Sequence, residues 1–313
     1  MIGAVDIGGT KIAVGVVDEN GCVLAKNECP TEVARGFDYA MQRVTSLLRR
    51  CAETCEVKLR GIGVGCAGPL DSLNGVLGNA NNLQGWEGGH VVDVLSLEFG
   101  VPAALENDAD AAALGELRWG AGKSKTRLLY VTVGTGIGVS VILDGAVYRG
   151  AGGYHPEAGH QIVNPLGPPC TCGARGCWES LAAGPAMTAW MKENAPATYG
   201  NRNLTAREIC LRAQASDEWA QRAIEHEAYY LGLGMANLIT AFAPEAIVLG
   251  GSVMKSAVLF LERMREVIRQ NCRLIPVDRV EILLAGLGAD VGLIGAAEVW
   301  NQRFRHAGSL ARH

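Results

Sequence analysis

The chain carries one three-strand pattern twice. Residues 3–27 read GAVDIGGTKIAVGVVDENGCVLAKN, and residues 128–150 read LLYVTVGTGIGVSVILDGAVYRG. Each copy is an apolar run, a glycine turn bearing a threonine, a β-branched run, an Asx-Gly turn and a further apolar run. In the first copy Ile2 to Ile7 reads as a short strand, Gly8-Gly9-Thr10 as the turn and Ile12 to Val17 as the return strand. Asn20-Gly21 is then the hairpin signal before a third strand. Asp144-Gly145 takes that last part in the second copy. The copies begin about 126 residues apart, which is too long for a solenoid period and fits a duplicated domain.

The remaining pattern predicts α/β layers. Helical spacing runs over roughly residues 36 to 55, and a buried strand over 60–67 is broken by Gly68-Pro69. A strand over 101–106 ends in Asn107-Asp108, where an alanine-rich helix begins. Helical segments follow near 179–192, 205–212 and 217–241, then a strand at 245–251 and a helix near 255–271. A strand near 279–285 and a last helix from about 291 to 305 complete the alternation. With 313 residues, 49% apolar content, 41 glycines and 19% charged residues, the chain can bury two cores between many tight turns.

Composition also narrows function. The net charge of −4 and the absence of a basic stripe argue against a nucleic-acid partner. Apolar runs stop well before the ~18 residues a bilayer span needs. The opening MIGAVDIGG has no basic segment, so no secretory leader is expected. The cysteines outside one cluster are scattered, without a secreted-scaffold pattern, and a reducing cytoplasm is the expected compartment.

That cluster lies in EAGHQIVNPLGPPCTCGARGCWE, residues 157–179. His160, Cys170, Cys172 and Cys177 offer three soft thiolates and one imidazole, a set suited to a tetrahedral structural zinc. Gly167, Pro168, Pro169, Gly173 and Gly176 supply the turns needed to aim these ligands at one point. Glu157 and Glu179 bracket the ligands, so the metal would stiffen a loop that carries two acids.

Both glycine hairpins can approach a phosphate. Gly8 and Gly9 expose backbone N–H groups, Thr10 adds a hydroxyl, Lys11 adds a cation, and Asp6 could hold Mg²⁺ through water. Gly134, Thr135 and Gly136 form the second loop, again between strands. Neither is a Walker loop or a dinucleotide fingerprint, both of which open a helix. Two such hairpins, one per half, suggest a polyphosphate gripped between two domains. Gly250-Gly251, after a strand, would let a flat ring lie on backbone, or is a simple turn. Asn107-Asp108 reads either as a helix cap or as the seat of a general base at a strand's carboxyl end, where α/β ligand sites cluster. Asn81-Asn82 with Trp86 reads as a sugar-binding edge and face, or as a turn and a packed indole. His155 and His226 carry no assigned role.

Taken together, DIGGTK at 6–11, ENDADAAALGE at 106–116, VGTGIG at 133–138, ExGH at 157–160 and CxCGxxGCxE at 170–179 resemble the ROK family of sugar kinases, repressors and open reading frames. The resemblance covers nearly the whole chain. It implies a two-lobed actin-like (ribonuclease-H-like) ATPase fold with a duplicated domain. The small lobe would be residues 1–118 with a returning C-terminal helix at 291–313, and the large lobe 119–290 would carry the zinc loop. It implies Asp108 as catalytic base, with Asn107, Glu157, His160, Glu179, Gly68 and Asn82 around the sugar. Asp6, Gly8, Gly9, Thr10 and Lys11 match the first phosphate motif. Gly134, Thr135 and Gly136 match the second, and Gly250-Gly251 the adenosine motif. Zinc is implied at the same four ligands, and a homodimer is expected.

Family repressors carry a DNA-binding segment ahead of the phosphate motif. Here that motif begins at residue 6, so a kinase is expected in preference to a repressor. The expected reaction moves the γ-phosphoryl of Mg·ATP to a hexose hydroxyl, with the 6-OH of glucose as first choice. Tyr154-His155-Pro156 before Glu157 is similar to fructokinase-like members, whereas CxCGxxGC is similar to glucokinases and N-acetylhexosamine kinases. Fructose, N-acetylmannosamine and N-acetylglucosamine therefore stay open as acceptors, and polyphosphate as donor. A non-catalytic sugar sensor and a hydrolase of the same fold are the rivals of a different class.

Overall fold

A computed structural model describes residues 1–196, 199 and 204–305. The expected returning segment therefore extends, at 306–313, outside the described residues. The chain divides into two compact units. The first comprises Met1–Thr126, Ser140–Pro156 and the described residues from Ala285 on; the second comprises Arg127–Val139 and Glu157–Leu284.

The first unit is built on a five-stranded sheet. Its strands are β1 (Ile2–Ile7), β2 (Lys11–Val17), β3 (Val23–Pro30), β4 (Gly61–Cys66) and, after the short β5 (Leu70–Asp71) and β6 (Val76–Leu77), β7 (Ala103–Asn107). The order is β3-β2-β1-β4-β7. β1 runs antiparallel to β2 and parallel to β4, and β4 runs parallel to β7. Register places Ile7, Cys66 and Asn107 side by side, so three parallel strands end level with one another. The residues that follow them, Gly8, Ala67 and Asp108, occupy the carboxyl edge where α/β sheets hold ligands.

Alternation along β4 explains how both faces of this sheet are covered. Ile62, Val64 and Cys66 enter a core with Val44 and Leu48 of helix α1 (Phe37–Thr54). Gly61, Gly63 and Gly65 face the other way. A methyl group on Gly61 would strike the Trp300 indole, and one on Gly63 the Ala296 carbonyl. Glycine thus lets the last helix lie close to the sheet, where Leu293, Ala296, Ala297 and Trp300 bury Ile2, Ala4, Ala13 and Val17. The helix α2 (Val91–Phe99), which no periodic signal announces, packs beside α1. Helix α3 (Asp108–Trp119) starts where β7 ends. Its Glu116 is fully buried and accepts backbone N–H groups from Ala121 at 2.8 Å, Gly286 at 3.0 Å and Leu287 at 2.9 Å.

The second sheet repeats the first. Its strands are β8 (Leu128–Val133), β9 (Ile137–Leu143), β10 (Ala146–Val147), β11 (Ala246–Gly250) and β12 (Glu281–Leu284), in the order β10-β9-β8-β11-β12. A hairpin, then a parallel strand reached through helices, then another: the strand order is that of β3-β2-β1-β4-β7, and the duplication read from the two glycine hairpins holds. Within the second unit the helices are α4 (Trp178–Ala182), α5 (Gly184–Asn194), α6 (Ala206–Gln214), α7 (Glu218–Phe242) and α8 (Leu261–Asn271). The single helix expected near 255–271 is instead a 3-10 segment, Val253–Leu259, interrupted at Ser256 (φ −108°, ψ 26°), followed by α8. The final helix, α9, spans Val291–Arg305. Among the described residues no helix is long and apolar enough to cross a membrane.

Candidate active site

In the first unit the candidate residues gather at the carboxyl edge of the sheet. Gly8 N–H closes the first turn on the Lys11 carbonyl at 2.9 Å. Thr31, which the sequence did not single out, is buried and donates its hydroxyl to the Gly8 carbonyl at 2.6 Å. Its backbone N–H also reaches the Thr10 carbonyl at 3.0 Å, so the residue that follows β3 fixes the turn from the side. No local motif marks such a residue, because its partner lies 23 positions away. Asn82 packs on the same turn: a methyl at Gly9 would come within 2.8 Å of the Asn82 Cβ. Lys11 points elsewhere, forming an exposed ion pair with Glu28 at 2.9 Å. Trp86 does not offer a sugar-stacking face. It is 1% exposed, stacked edge-on against Phe37, and its indole N–H donates to the Val33 carbonyl at 3.2 Å.

Asn107 and Asp108 combine the two roles open to them. Asn107 Oδ1 caps α3 by accepting the Ala109 N–H at 2.9 Å, and its Nδ2 lies against Gly68. Asp108 is the first residue of the helix; its Oδ1 shares the same N–H at 2.9 Å, and its side chain reaches water. Surrounding protein nevertheless raises its pKa through desolvation, opposed by the Ala109 N–H and by His155. Asp6 is pushed up to about 6, first by burial and then by the charge of Asp108, with Lys11 opposing. A carboxylate whose ionisation is opposed by burial and by the neighbouring Asp108 charge is a setting that a divalent cation would relieve. Asp6 would hold Mg²⁺ through water, and the ion would neutralise phosphate charge.

In the second unit the glycine hairpin and the cysteine loop meet. Gly134 N–H closes the turn on the Gly136 carbonyl at 2.9 Å, and the Gly134 carbonyl accepts from Gly184 at 2.9 Å. Glu179 Oε2 accepts the Ile137 N–H at 3.0 Å, and a methyl on Gly136 would collide with that carboxylate. Glu179 stands in the first turn of α4, whose N-cap position is Cys177. Glu157 is exposed and precedes the 3-10 turn Ala158–His160, where His160 N–H returns to the Glu157 carbonyl at 3.0 Å.

The four sequence-picked ligands converge. Their donor atoms all lie within 4.8 Å of one another. His160 Nδ1 stands 3.5 Å from Cys170 Sγ, and Cys172 Sγ stands 3.5 Å from Cys177 Sγ. A zinc ion with Zn–S of about 2.3 Å and Zn–N of about 2.0–2.1 Å would separate tetrahedral ligands by roughly 3.6–3.8 Å, so the residues fit the metal. Backbone bonds hold the loop in shape: Cys170 N–H to the Ala174 carbonyl at 2.8 Å, and Gly176 N–H to the Pro168 carbonyl at 2.8 Å. Hydrogen bonding, chiefly from the Ala174 backbone, lowers the Cys172 thiol, while burial pushes Cys177 up to about 12. With four protein ligands the ion would have no open position, so its role would be structural.

Gly250-Gly251 lies beside this second hairpin. Gly251 has φ +91° and its Cβ position is filled by the Val133 backbone, so the turn needs glycine. The next residue, Ser252, lines a cavity of about 440 Å³ together with Ala206, Arg207, Cys210, Gln214 and Lys255.

A model of the ROK family matches residues 2–303. The glucokinase of Halalkalibacterium halodurans is 33% identical, the match covering 96% of this chain and 94% of that protein. The crystal structure of a ROK hexokinase from Thermus thermophilus is 36% identical with a TM-score of 0.83, covering 97% of this chain and 99% of the other. A ROK family glucokinase from Streptomyces griseus, solved in complex with glucose and AMPPNP, is 32% identical with a TM-score of 0.81, covering 95% and 98%. The repeated α/β sheet is thus the actin-like ATPase fold of these neighbours, and the chain belongs to the ROK family.

Proposed function

We propose that this chain is a sugar kinase that transfers the γ-phosphoryl group of Mg·ATP to a hexose hydroxyl, the 6-OH of glucose first. The observation that carries the reading is Asp108: a water-accessible carboxylate one residue past the aligned ends of three parallel strands, held at a helix start. The glucokinases and the ROK hexokinase it resembles support the substrate class.

Asp108 accepts the proton of the attacking hydroxyl, a role that requires hydrogen-bond reach of that oxygen. Asn107, Gly68 and Asn82 line the sugar in the first unit; Glu157, His160 and Glu179 read its hydroxyls in the second. His160 takes both parts, since Nδ1 faces the thiolates and leaves Nε2 for the sugar. The turns at Gly8–Lys11 and Gly134–Gly136 give backbone N–H groups to the phosphates. In a loose phosphoryl-transfer transition state, such positioning and charge neutralisation account for most of the rate. The cavity beside Gly250-Gly251 suits a nucleoside better than a bare polyphosphate. Zinc at His160, Cys170, Cys172 and Cys177 orders the loop bearing both glutamates. We further propose a cytoplasmic homodimer; light scattering of the purified protein tests the dimer.

The decisive measurement is ADP release over glucose, fructose, mannose, N-acetylglucosamine and N-acetylmannosamine, with polyphosphate as alternative donor. Glucose with ATP is expected to give the highest kcat/KM. Tyr154-His155-Pro156 before Glu157 keeps fructose and the N-acetylhexosamines as the second reading. Sugar binding without ADP release from any of the five would replace the kinase by a sensor.

A further inference from the structure

Three acids alternate through the junction of β7 and α3: Glu106, Asp108 and Asp110. The outer two are buried, and each is taken by a base from one short segment. Arg149 Nη2 donates to Glu106 Oε2, and His155 Nδ1 donates to Asp110 Oδ2 at 2.8 Å. Between these bases the chain closes on itself: Gly150 N–H bonds the Tyr154 carbonyl at 2.8 Å, and Gly153 N–H the Gly150 carbonyl at 3.0 Å. Gly152 and Gly153, at φ +71° and +83°, turn the tip. The loop therefore presents Arg149 and His155 together at its neck.

We propose that Arg149 and His155 act as a two-point clamp that positions Asp108 by holding the acids on either side of it, Glu106 and Asp110. The proposal rests on the reading of Asp108 as the base.

Stability alone is a poor reason for this arrangement. Asp110 is fully buried and its Oδ1 has no hydrogen-bond partner; Arg149 Nε is buried and equally unpartnered. Buried ion pairs with orphaned atoms contribute less than apolar packing of the same volume. The rest of the first helical turns is packed by Ala109, Ala111, Ala112 and Ala113, all buried, so an apolar alternative is at hand. What the pairs do supply is direction. They fix the backbone on both sides of Asp108, and two residues beyond His155 the chain reaches Glu157. His155 also opposes the desolvation that raises Asp108, in the direction that keeps a base ionised.

The test compares H155A, H155N, D110N and R149M with the wild type for kcat, for the KM of sugar and of ATP, and for chymotryptic cleavage after Tyr154, which is 69% exposed. H155A and R149M are expected to lower kcat by about tenfold or more, the scale of a small misplacement of a reacting group, with the ATP KM within about twofold. H155N, whose amide nitrogen overlies the imidazole Nδ1 and can still donate to Asp110, should recover kcat to within about fivefold of wild type. The R149M/H155A pair should cost less than the product of the singles, because the second loss finds Asp108 already released. H155A and D110N should speed cleavage after Tyr154 by about tenfold. Single variants that keep kcat within twofold, or a kcat loss matched by loss of folded protein, would overturn the clamp. So would an unchanged cleavage rate. If H155A does not fold, D110N decides the same question. A wild type that releases no ADP with any sugar removes the kinase reading but not the clamp, on which the cleavage rate rules alone.

Discussion

Asn107 and Asp108 divide the work of one helix start. The amide oxygen of Asn107 satisfies the Ala109 N–H, so the helix does not depend on Asp108 to begin. Asp108→Asn is therefore expected to fold and to bind sugar within a few-fold by calorimetry, while turnover falls by about 10²–10⁴-fold, the range for loss of a general base. Near-normal turnover in this variant would take Asp108 out of that role. A second prediction concerns Glu227, fully buried in α7 with neither carboxylate oxygen hydrogen-bonded. Burial drives its pKa well above the ordinary range. The folded state therefore holds a proton that the unfolded chain releases above its ordinary pKa of 4.5. Stability from this group is complete below that value and is lost as pH rises toward the folded pKa. Glu227→Gln keeps the shape without the charge. It should raise the melting temperature at pH 8 and leave it unchanged near pH 4, as read by thermal scans at both values.

At the scale of elements, a metal held by the cysteine loop would set a carboxylate. Cys177 is at once a candidate ligand and the residue that starts α4, and Glu179 occupies the first turn of that helix. Cys177→Ser, or exhaustive chelation, should lower the melting temperature by at least about 5 °C, since structural zinc contributes directly to folding. It should also weaken sugar binding. Metal analysis should find one zinc per chain, and a value near zero in active protein would remove the assignment. This loop and both glycine hairpins were legible in the sequence because their signals are local: Asn20-Gly21 and Asp144-Gly145 demand turns, and three thiols and an imidazole lie within eighteen residues. Helix α2 was not legible, for its turns carry apolar residues without a clean period and its burial is decided by α1. Trp86 was ambiguous for a related reason. An indole serves a core as well as a sugar, and only Phe37 and the Val33 carbonyl decide between them. The bond of His155 to Asp110 spans 45 positions, and no spacing rule reaches that far.

For the whole molecule, the repeat of one strand order in both sheets explains why two hairpins of similar chemistry exist at all. Each is the first turn of its own copy. The copies differ in how they are completed. One face of the first sheet has no cover until Leu293, Ala296, Ala297 and Trp300 arrive from the far end of the sequence. A chain stopped at residue 284 is expected to leave Ile2, Ala4, Ala13 and Val17 bare and to partition into the insoluble fraction. Dye binding to exposed apolar surface should rise in whatever remains soluble.

That dependence sets a timetable. On the ribosome the first sheet emerges early, with its hairpin and α1 able to form at once, yet its second face must wait through the synthesis of the entire second unit. The second unit, Arg127–Val139 with Glu157–Leu284, has all its residues in hand before the first is finished. At translation rates of about 5–20 residues per second, the interval from residue 126 to residue 300 lasts roughly ten to thirty seconds. The half that is made first is the half that matures last, and a chaperone attending this chain would find its task at the amino-terminal strands.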